Sequence, residues 1–334
     1  MKHILILGGT QFVGRQLVEK LSLRDGLELT LFHRGKTNPG LFPELRTLQG
    51  DRDSDDIRLF NRRDWDAVID FSGYYPRPLA RLAQSLSGRC GRYLYVSSIS
   101  AYDLSQVGKD PIKEDHPTLS WTPDEEIDRN MESYGKRKAA CEQVLLQEPD
   151  FVPMIFRPGV IYGAHDPTDR LYYWIWRYQM RQRLLIPDTG ARRTQLTYAA
   201  DFAALLERAL LEPLPANKLW HVLTHDPVPY ADLLEHIAAL SGRSAKAVRV
   251  SPAWMDEHDL SFWRDFPILL DQERLFDTAL MHADFAPELT PLPMSLAQTA
   301  EFYAQLGWPV PVAGISPERE DQLLNLIDTA NWLG

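Results

Sequence analysis

The feature that most constrains this chain is a glycine turn set between its first strand and its first helix. The apolar run Ile4-Leu5-Ile6-Leu7 passes straight into Gly8-Gly9-Thr10-Gln11-Phe12-Val13-Gly14, and helical periodicity takes over from Val13. A strand that ends in glycines and opens a helix presents unpaired backbone N–H groups at the helix start, where an anion such as a pyrophosphate is favoured. Gly8 permits the tight turn, and Gly14 lets the helix close on the strand. The spacing Gly-x-x-Gly-x-x-Gly would put glycine at position 11, but Gln11 stands there, so a side chain shares the space beside the adenosine half of a bound dinucleotide. Gly8, Gly9, Thr10, Gln11, Phe12, Val13 and Gly14 are the first candidate cofactor residues. An ordinary tight turn in an α/β protein that binds nothing shares much of this pattern, so the turn needs support from elsewhere.

That support begins with the alternation that follows. Candidate strands at His3–Leu7, Glu28–His33, Arg46–Leu48, Ala67–Phe71, Tyr93–Ser97 and Val152–Phe156 are interleaved with helical stretches at Val13–Leu23, Pro78–Ser87 and Ser133–Gln147. This is the pattern of βαβ units and a parallel, doubly wound sheet covered on both faces. At about 150 residues per domain, 334 residues make two domains, or one α/β domain with a large extension. The pattern places a dinucleotide-binding domain at 1–160 and a mainly substrate-binding region at 161–334, with some later segments returning to the first. Helices are expected around Ala199–Leu211 and Tyr230–Leu240. The polar, acid-rich stretch Ala101–Glu132 reads as a long loop of the kind that is functional or disordered.

Composition narrows the function classes. With 36 Lys+Arg against 46 Asp+Glu, the net charge of −10 disfavours a general nucleic-acid binder, whose phosphate contacts need a basic surface. Only two cysteines occur, Cys90 and Cys141, which excludes a disulfide framework and a Cys-rich zinc site and fits small buried residues. The apolar start is too short for a signal peptide or a membrane span. A soluble cytoplasmic protein is the expectation. Nine histidines are scattered along the chain, and no metal site is expected.

The end of the second strand bears on the choice of dinucleotide. It reads Phe32-His33-Arg34-Gly35-Lys36, with no acid to hold ribose hydroxyls and two cations suited to a 2′-phosphate. His33, Arg34 and Lys36 therefore favour NADP over NAD, against the plain alternative of a solvated basic turn. Further on, Ser97-Ser98-Ile99-Ser100-Ala101-Tyr102 follows the fifth strand, and Tyr134-Gly135-Lys136-Arg137-Lys138 opens a helix for which Ser133 is the expected cap. Tyr134 and Lys138 are four apart and share a helical face, whereas Lys136 at i+2 does not. A phenol is a poor acid–base group at neutral pH, and a neighbouring ammonium favours its phenolate. Ser98 can hydrogen-bond the same reacting oxygen while Tyr134 exchanges the proton. A surface helix with a Tyr and several Lys is commonplace; the order of these pieces behind a glycine turn is what gives them weight.

Taken in order, these segments resemble the extended and atypical short-chain dehydrogenase/reductases, the NAD-dependent epimerase/dehydratase family, over about the first 240 residues. The resemblance implies a Rossmann-type fold with a smaller C-terminal substrate-binding region. Gly50-Asp51-Arg52 is similar to the family's adenine-binding turn, so Asp51 and Arg52 join the cofactor candidates, as do Ser72 and Gly73 at the end of Asp66–Gly73. The Ser98, Tyr134 and Lys138 set matches the catalytic hydroxyl and the Tyr-x-x-x-Lys pair, the last two also touching cofactor. Arg157–Gly163 is similar to the segment joining cofactor and substrate sites and contributes Pro158. Gln195 to Asp201 resembles the later strand leading into a helix. On the same resemblance Ser100, Tyr102, Tyr162 and Arg193 are substrate candidates, with Arg193 one residue out of register and Thr194 in the expected place. Gln11 resembles an atypical subgroup that includes chloroplast stem-loop RNA-binding proteins. Dehydratases of the family carry Asp-Glu where Ile99 and Ser100 stand, so elimination chemistry ranks low. A homodimer through the helices near Pro78–Ser87 and Ser133–Gln147 is implied. The expected activity is an NAD(P)-dependent oxidoreductase or epimerase acting on a hydroxyl or keto group of a sugar or sugar-nucleotide-like substrate. The rival is a non-catalytic RNA-binding or sensor protein on the same fold.

Two stretches remain. Asp169 to Arg193 mixes Arg with Tyr172, Tyr173, Trp174 and Trp176. It reads as an anion and sugar platform or, better, as an amphipathic helix with aromatics in the core and Arg in water. His165-Asp166 either lines the substrate mouth or, more simply, is a satisfied loop pair.

Overall fold

The computed structural model describes residues 1–125, 130–215 and 218–333 and resolves the chain into two compact units. The first comprises Met1–Ile161, Ala199–Thr224 and Phe276–Leu289; the second comprises Tyr162–Tyr198, His225–Leu275 and Thr290–Gly334.

The first unit is built on the strands β1 (Lys2–Leu7), β2 (Leu27–His33), β3 (Arg46–Gln49), β4 (Trp65–Asp70), β5 (Cys90–Val96) and β6 (Val152–Pro158). A seventh strand, Lys218–Val222, joins beside β6, giving the order 218–222, β6, β5, β4, β1, β2, β3, all parallel. The near-continuous apolar strands are explained by their two covered faces. Ile4 and Ile6 of β1 pack into one core with Val13, Leu17, Val18 and Leu21 of helix α1 (Phe12–Leu21) and with the helix Ala199–Leu211. Leu5 and Leu7, one residue out of phase, pack into the other core with Leu79, Leu82 and Leu86 of α2 (Pro76–Leu86) and Cys141 and Leu145 of α3 (Tyr134–Leu146). Period-two alternation thus feeds two helix layers from one strand. The strand order reverses between β1 and β4, and the crevice at their carboxyl ends is where open α/β sheets bind ligands. Both cysteines are buried in this second core.

The stretch Ala101–Glu132 is a long loop, as expected, and over its described part it is held to this unit by hydrogen bonds and buried side chains. Leu119 N–H donates to Ala101 O at 2.9 Å, Asp103 N–H to Pro117 O at 3.0 Å and Asp277 N–H to Ile112 O at 2.8 Å. Tyr102 and Ile112, each 1% exposed, pin it to a small core with Leu223 and Phe276; residues 126–129 of that stretch lie outside the described residues. Ser133 does not cap α3: its backbone is already helical (φ −81°, ψ −1°), which turns the side chain away from the first-turn N–H groups. Its hydroxyl instead donates to Asn130 O at 3.1 Å.

The second unit holds the helices Tyr172–Met180, Tyr230–Ser241, Leu292–Gln305 and Pro317–Leu333, with a parallel strand pair Arg183–Pro187 and Lys246–Val250. The aromatics of 172–180 form core, the Tyr172 ring lying 3.5 Å from and nearly parallel to that of Tyr303. The expectation that the helix's arginines face water fails at Arg177, which is 1% exposed. Its guanidinium is ion-paired with buried Glu320, donates to Leu185 O at 2.7 Å, and lies 4.9 Å from the ring centres of both Tyr173 and Trp174. Being in the core, these aromatics offer no platform to a sugar. Among the described residues no helix is long and apolar enough to cross a membrane.

Candidate active site

The glycine turn is shaped as the sequence requires. Gly8 and Gly9 adopt φ of +97° and +87°, and a Cβ on Gly14 would come within 3.0 Å of the Gly9 Cα. Side chains are thereby kept off the start of α1. Gln11 is exposed and extended at the N-cap and makes no side-chain cap, and Phe12 takes the left-handed region at φ +49°. Val13 is buried at 4% and serves the core. A backbone cradle with uncapped helix N–H groups fits a pyrophosphate. Buried Thr10 is tied to the loop after β2: its hydroxyl donates to Thr37 O at 3.0 Å, and Asn38 Nδ2 donates to Thr10 O at 2.8 Å. That loop holds Arg34 and Lys36 exposed. His33, whose pKa burial lowers, accepts from the Gly35 N–H at 3.1 Å through Nδ1.

The turn after β3 has a different internal use. The Asp51 carboxylate accepts from the Asp53 N–H at 3.0 Å. Arg52 forms a two-pronged pair with Asp70, at 2.8 and 2.9 Å, and reaches Ser72 Oγ at 3.0 Å. Asp70 is fully buried and also accepts from Tyr93 OH at 2.7 Å and Ser72 N–H at 2.8 Å. The guanidinium of Arg52 therefore fastens the β3 turn to the Ser72–Gly73 turn after β4.

The Gly73 carbonyl in turn holds the lysine. Lys138 is 2% exposed, and its ammonium donates to Gly73 O at 3.0 Å and Val96 O at 2.8 Å. Burial lowers its pKa, while the nearby Tyr74 phenol opposes the shift; two carbonyl acceptors hold the ammonium in place. One turn back on α3, the half-buried Tyr134 ring has its centre 6.0 Å from that nitrogen. Ser98, 8% exposed, accepts from the Ser100 N–H at 3.1 Å, shaping a short 3-10 turn. Gly135 explains how this turn meets α3: a Cβ there would overlap the Ser100 carbonyl oxygen. The fold thus brings the Ser98–Ser100 turn onto the first residues of the Tyr134 helix. Lys136 points elsewhere and pairs with Glu125.

The substrate candidates divide. Ser100 is exposed beside Ser98. Tyr102 is interior, its hydroxyl 2.5 Å from His221 Nε2 and its ring under the Arg157 guanidinium at 4.4 Å. Pro158 ends β6, buried and in register with Val222. In the second unit, Tyr162 is fully buried with its hydroxyl 2.7 Å from His225 Nε2, and Arg193 is engaged by Glu273 at 2.8 Å. His165 lies against Phe302, and Asp166 is 6% exposed, with Oδ1 taken by Thr168 and Oδ2 lacking any partner. Among the described residues no group of three or more His, Cys, Asp or Glu side chains is placed to hold a metal ion.

Sequence reasoning missed the Asp70 anchor and the two carbonyls that hold Lys138. Asp70 carried a usable signal, an acid that closes the apolar run Ala67-Val68-Ile69.

The chain is similar to several known proteins. The model of the NAD dependent epimerase/dehydratase family matches residues 75–220. The chloroplast stem-loop binding protein of 41 kDa b from Arabidopsis thaliana is 24% identical over 258 residues, 72% of this chain and 64% of that protein. The chain therefore spans less than two thirds of that relative's length. The 2′-dehydrokanamycin reductase of Streptomyces kanamyceticus is 25% identical over 267 residues, 76% of this chain and 71% of the reductase. Among solved structures, the Bordetella bronchiseptica enzyme WbmG in complex with NAD and UDP superposes with a TM-score of 0.70 at 17% identity, covering 94% of this chain and 98% of that one. Residues 75–220 are thus similar to the NAD dependent epimerase/dehydratase family, and the fold, a Rossmann-type parallel sheet with flanking helices, is shared with that solved structure.

Proposed function

We propose that this protein is an NAD(P)-dependent oxidoreductase or epimerase acting on a hydroxyl or keto group of a sugar or sugar-nucleotide-like substrate. The observation that carries the reading is the buried Lys138 ammonium, held by the carbonyls of Gly73 in the turn after β4 and Val96 at the end of β5, one helical turn from Tyr134 and in the same unit as a backbone cradle fit for a dinucleotide. When bound, the nicotinamide supplies the hydride acceptor or donor. Tyr134 takes the hydroxyl proton on oxidation and returns it on reduction. Lys138 favours the phenolate by Coulomb attraction, and Ser98 holds the reacting oxygen. Ile99 and Ser100 supply no acid after Ser98, so elimination is not part of this proposal. Exposed Arg34 and Lys36, on a loop tied to Thr10, favour NADP through its 2′-phosphate. A cytoplasmic homodimer is the accompanying proposal. The test is oxidation of NADPH, followed by absorbance, against a panel of keto sugars and nucleotide sugars. Tyr134→Phe should abolish turnover while keeping dinucleotide binding; near-normal turnover would sink the mechanism.

The stem-loop binding relative favours a second reading, an RNA-binding protein on this fold. The net charge of −10 and the assembled Lys138 site weigh against it. Absence of binding to structured RNA at low salt would dispose of it.

A further inference from the structure

We propose that Tyr74 is a cofactor-contacting residue whose ring forms the aromatic wall for the nicotinamide riboside end of the dinucleotide. The inference rests on the reading of the first unit as a dinucleotide site. Tyr74 is 42% exposed, while Tyr93 and Tyr95 of neighbouring β5 are fully buried. Core packing therefore does not account for it. Its position is nonetheless fixed by the backbone on either side. The preceding carbonyl, that of Gly73, accepts from Lys138 and from Tyr95 OH at 2.7 Å; the following residues, Tyr75 and Pro76, are the N-cap and first residue of α2.

The ring is placed at the reacting end of the site. Its centre lies 4.6 Å from the Lys138 nitrogen, closer than that of Tyr134 at 6.0 Å, and the two rings are 6.5 Å apart and inclined at 43°. They flank one ammonium without stacking on each other. Two of the three Lys138 N–H donors go to Gly73 and Val96. An oxygen accepting the third would sit about 3 Å from the nitrogen, which brings a ribose hydroxyl there, and the ring system attached to it, into range of Tyr74. A ligand held by Lys138 thus finds a flat apolar surface beside it, and sugar C–H and nicotinamide faces pack on such a surface.

The test is fluorescence titration of wild type, Tyr74→Ala and Tyr74→Phe with NADPH and NADH, and calorimetric titration with ADP, which lacks the nicotinamide riboside. The expected result is about fivefold weaker dinucleotide binding for Tyr74→Ala. Tyr74→Phe should stay within about twofold of wild type, and ADP affinity should be unchanged in both. Unaltered dinucleotide affinity in Tyr74→Ala overturns the inference alone. So does an equal loss for ADP, which marks a general structural effect, or an equal loss in Tyr74→Phe, which assigns the hydroxyl instead of the ring. A wild-type protein that binds neither dinucleotide overturns this inference and the proposed function together.

Discussion

Arg52→Met should destabilise the first unit strongly and in a pH-dependent way. The wild-type guanidinium makes two hydrogen bonds to Asp70, at 2.8 and 2.9 Å, and one to Ser72 at 3.0 Å, while Asp70 has no exposed surface. Deleting the cation leaves a buried carboxylate supported only by Tyr93 OH and the Ser72 N–H and hydroxyl. Breaking a buried pair from one side costs about 3–5 kcal/mol, a large share of the ~5–15 kcal/mol that holds a domain together. In the wild type, burial pushes the Asp70 pKa up, but the Arg52 charge and the hydrogen bonds outweigh it and the net shift is downward. The folded state thus releases this proton more readily than the unfolded chain. The associated stability is present above the unfolded carboxyl pKa and is lost as pH falls through the lower folded value. Without Arg52 the burial effect prevails and the sign reverses, so the variant loses stability as pH rises above about 4. Urea unfolding at about pH 4.5 and about pH 7.5 should show the larger deficit at the higher pH. The double variant Arg52→Met/Asp70→Asn, whose neutral amide oxygen still accepts from buried Tyr93 OH, should recover part of it and lose the pH dependence. A single variant within about 1 kcal/mol of wild type at both pH values would refute the argument.

Three other outcomes are expected. Lys138→Met should abolish turnover and cost about 1–3 kcal/mol in a urea melt, because the Gly73 and Val96 carbonyls lose their donor in a buried site; a fully active variant would be contrary evidence. Gly135→Ala should impair both folding yield and activity, since its methyl would meet the Ser100 carbonyl oxygen, and wild-type behaviour would show that contact to be unimportant. Burial pushes the Asp166 pKa up to about 6, so the folded state holds its proton more tightly than the unfolded chain. Stability should then fall as pH rises from about 4 to about 6, on the order of 2–3 kcal/mol, and the fall should vanish from the urea profile of Asp166→Asn.

The parts of the fold legible in the sequence were those set by local periodicity. β1 reads as a strand because four consecutive apolar residues have two cores to fill, while Gly8 supplies the positive φ of the turn and Gly14 the close approach to Gly9. The less legible parts depend on residues far apart in the chain. Nothing local to Arg52 reveals that its partner is Asp70, eighteen positions on and at the end of a strand separated from β3 by two others in the sheet. Arg177 looks like a solvated helix arginine until Glu320 is brought against it from the last helix. Ser133 has the right chemistry for a cap but the wrong backbone angles, which composition does not encode. Tyr74 was readable in principle, as an aromatic between the glycine after β4 and the proline opening α2, but only the exposure of its ring beside Lys138 distinguishes it from a core tyrosine.

The central claim is that the cradle at Gly8–Gly14 and the Tyr134–Lys138 pair serve a nicotinamide dinucleotide. Direct titration of the purified protein with NADPH and NADH, followed by nicotinamide fluorescence, tests it without knowledge of the substrate. The account predicts saturable binding of both, tighter for NADPH, with the preference lost in Arg34→Ala/Lys36→Ala. Binding of neither dinucleotide, in protein shown to carry no bound cofactor after denaturation, would contradict it.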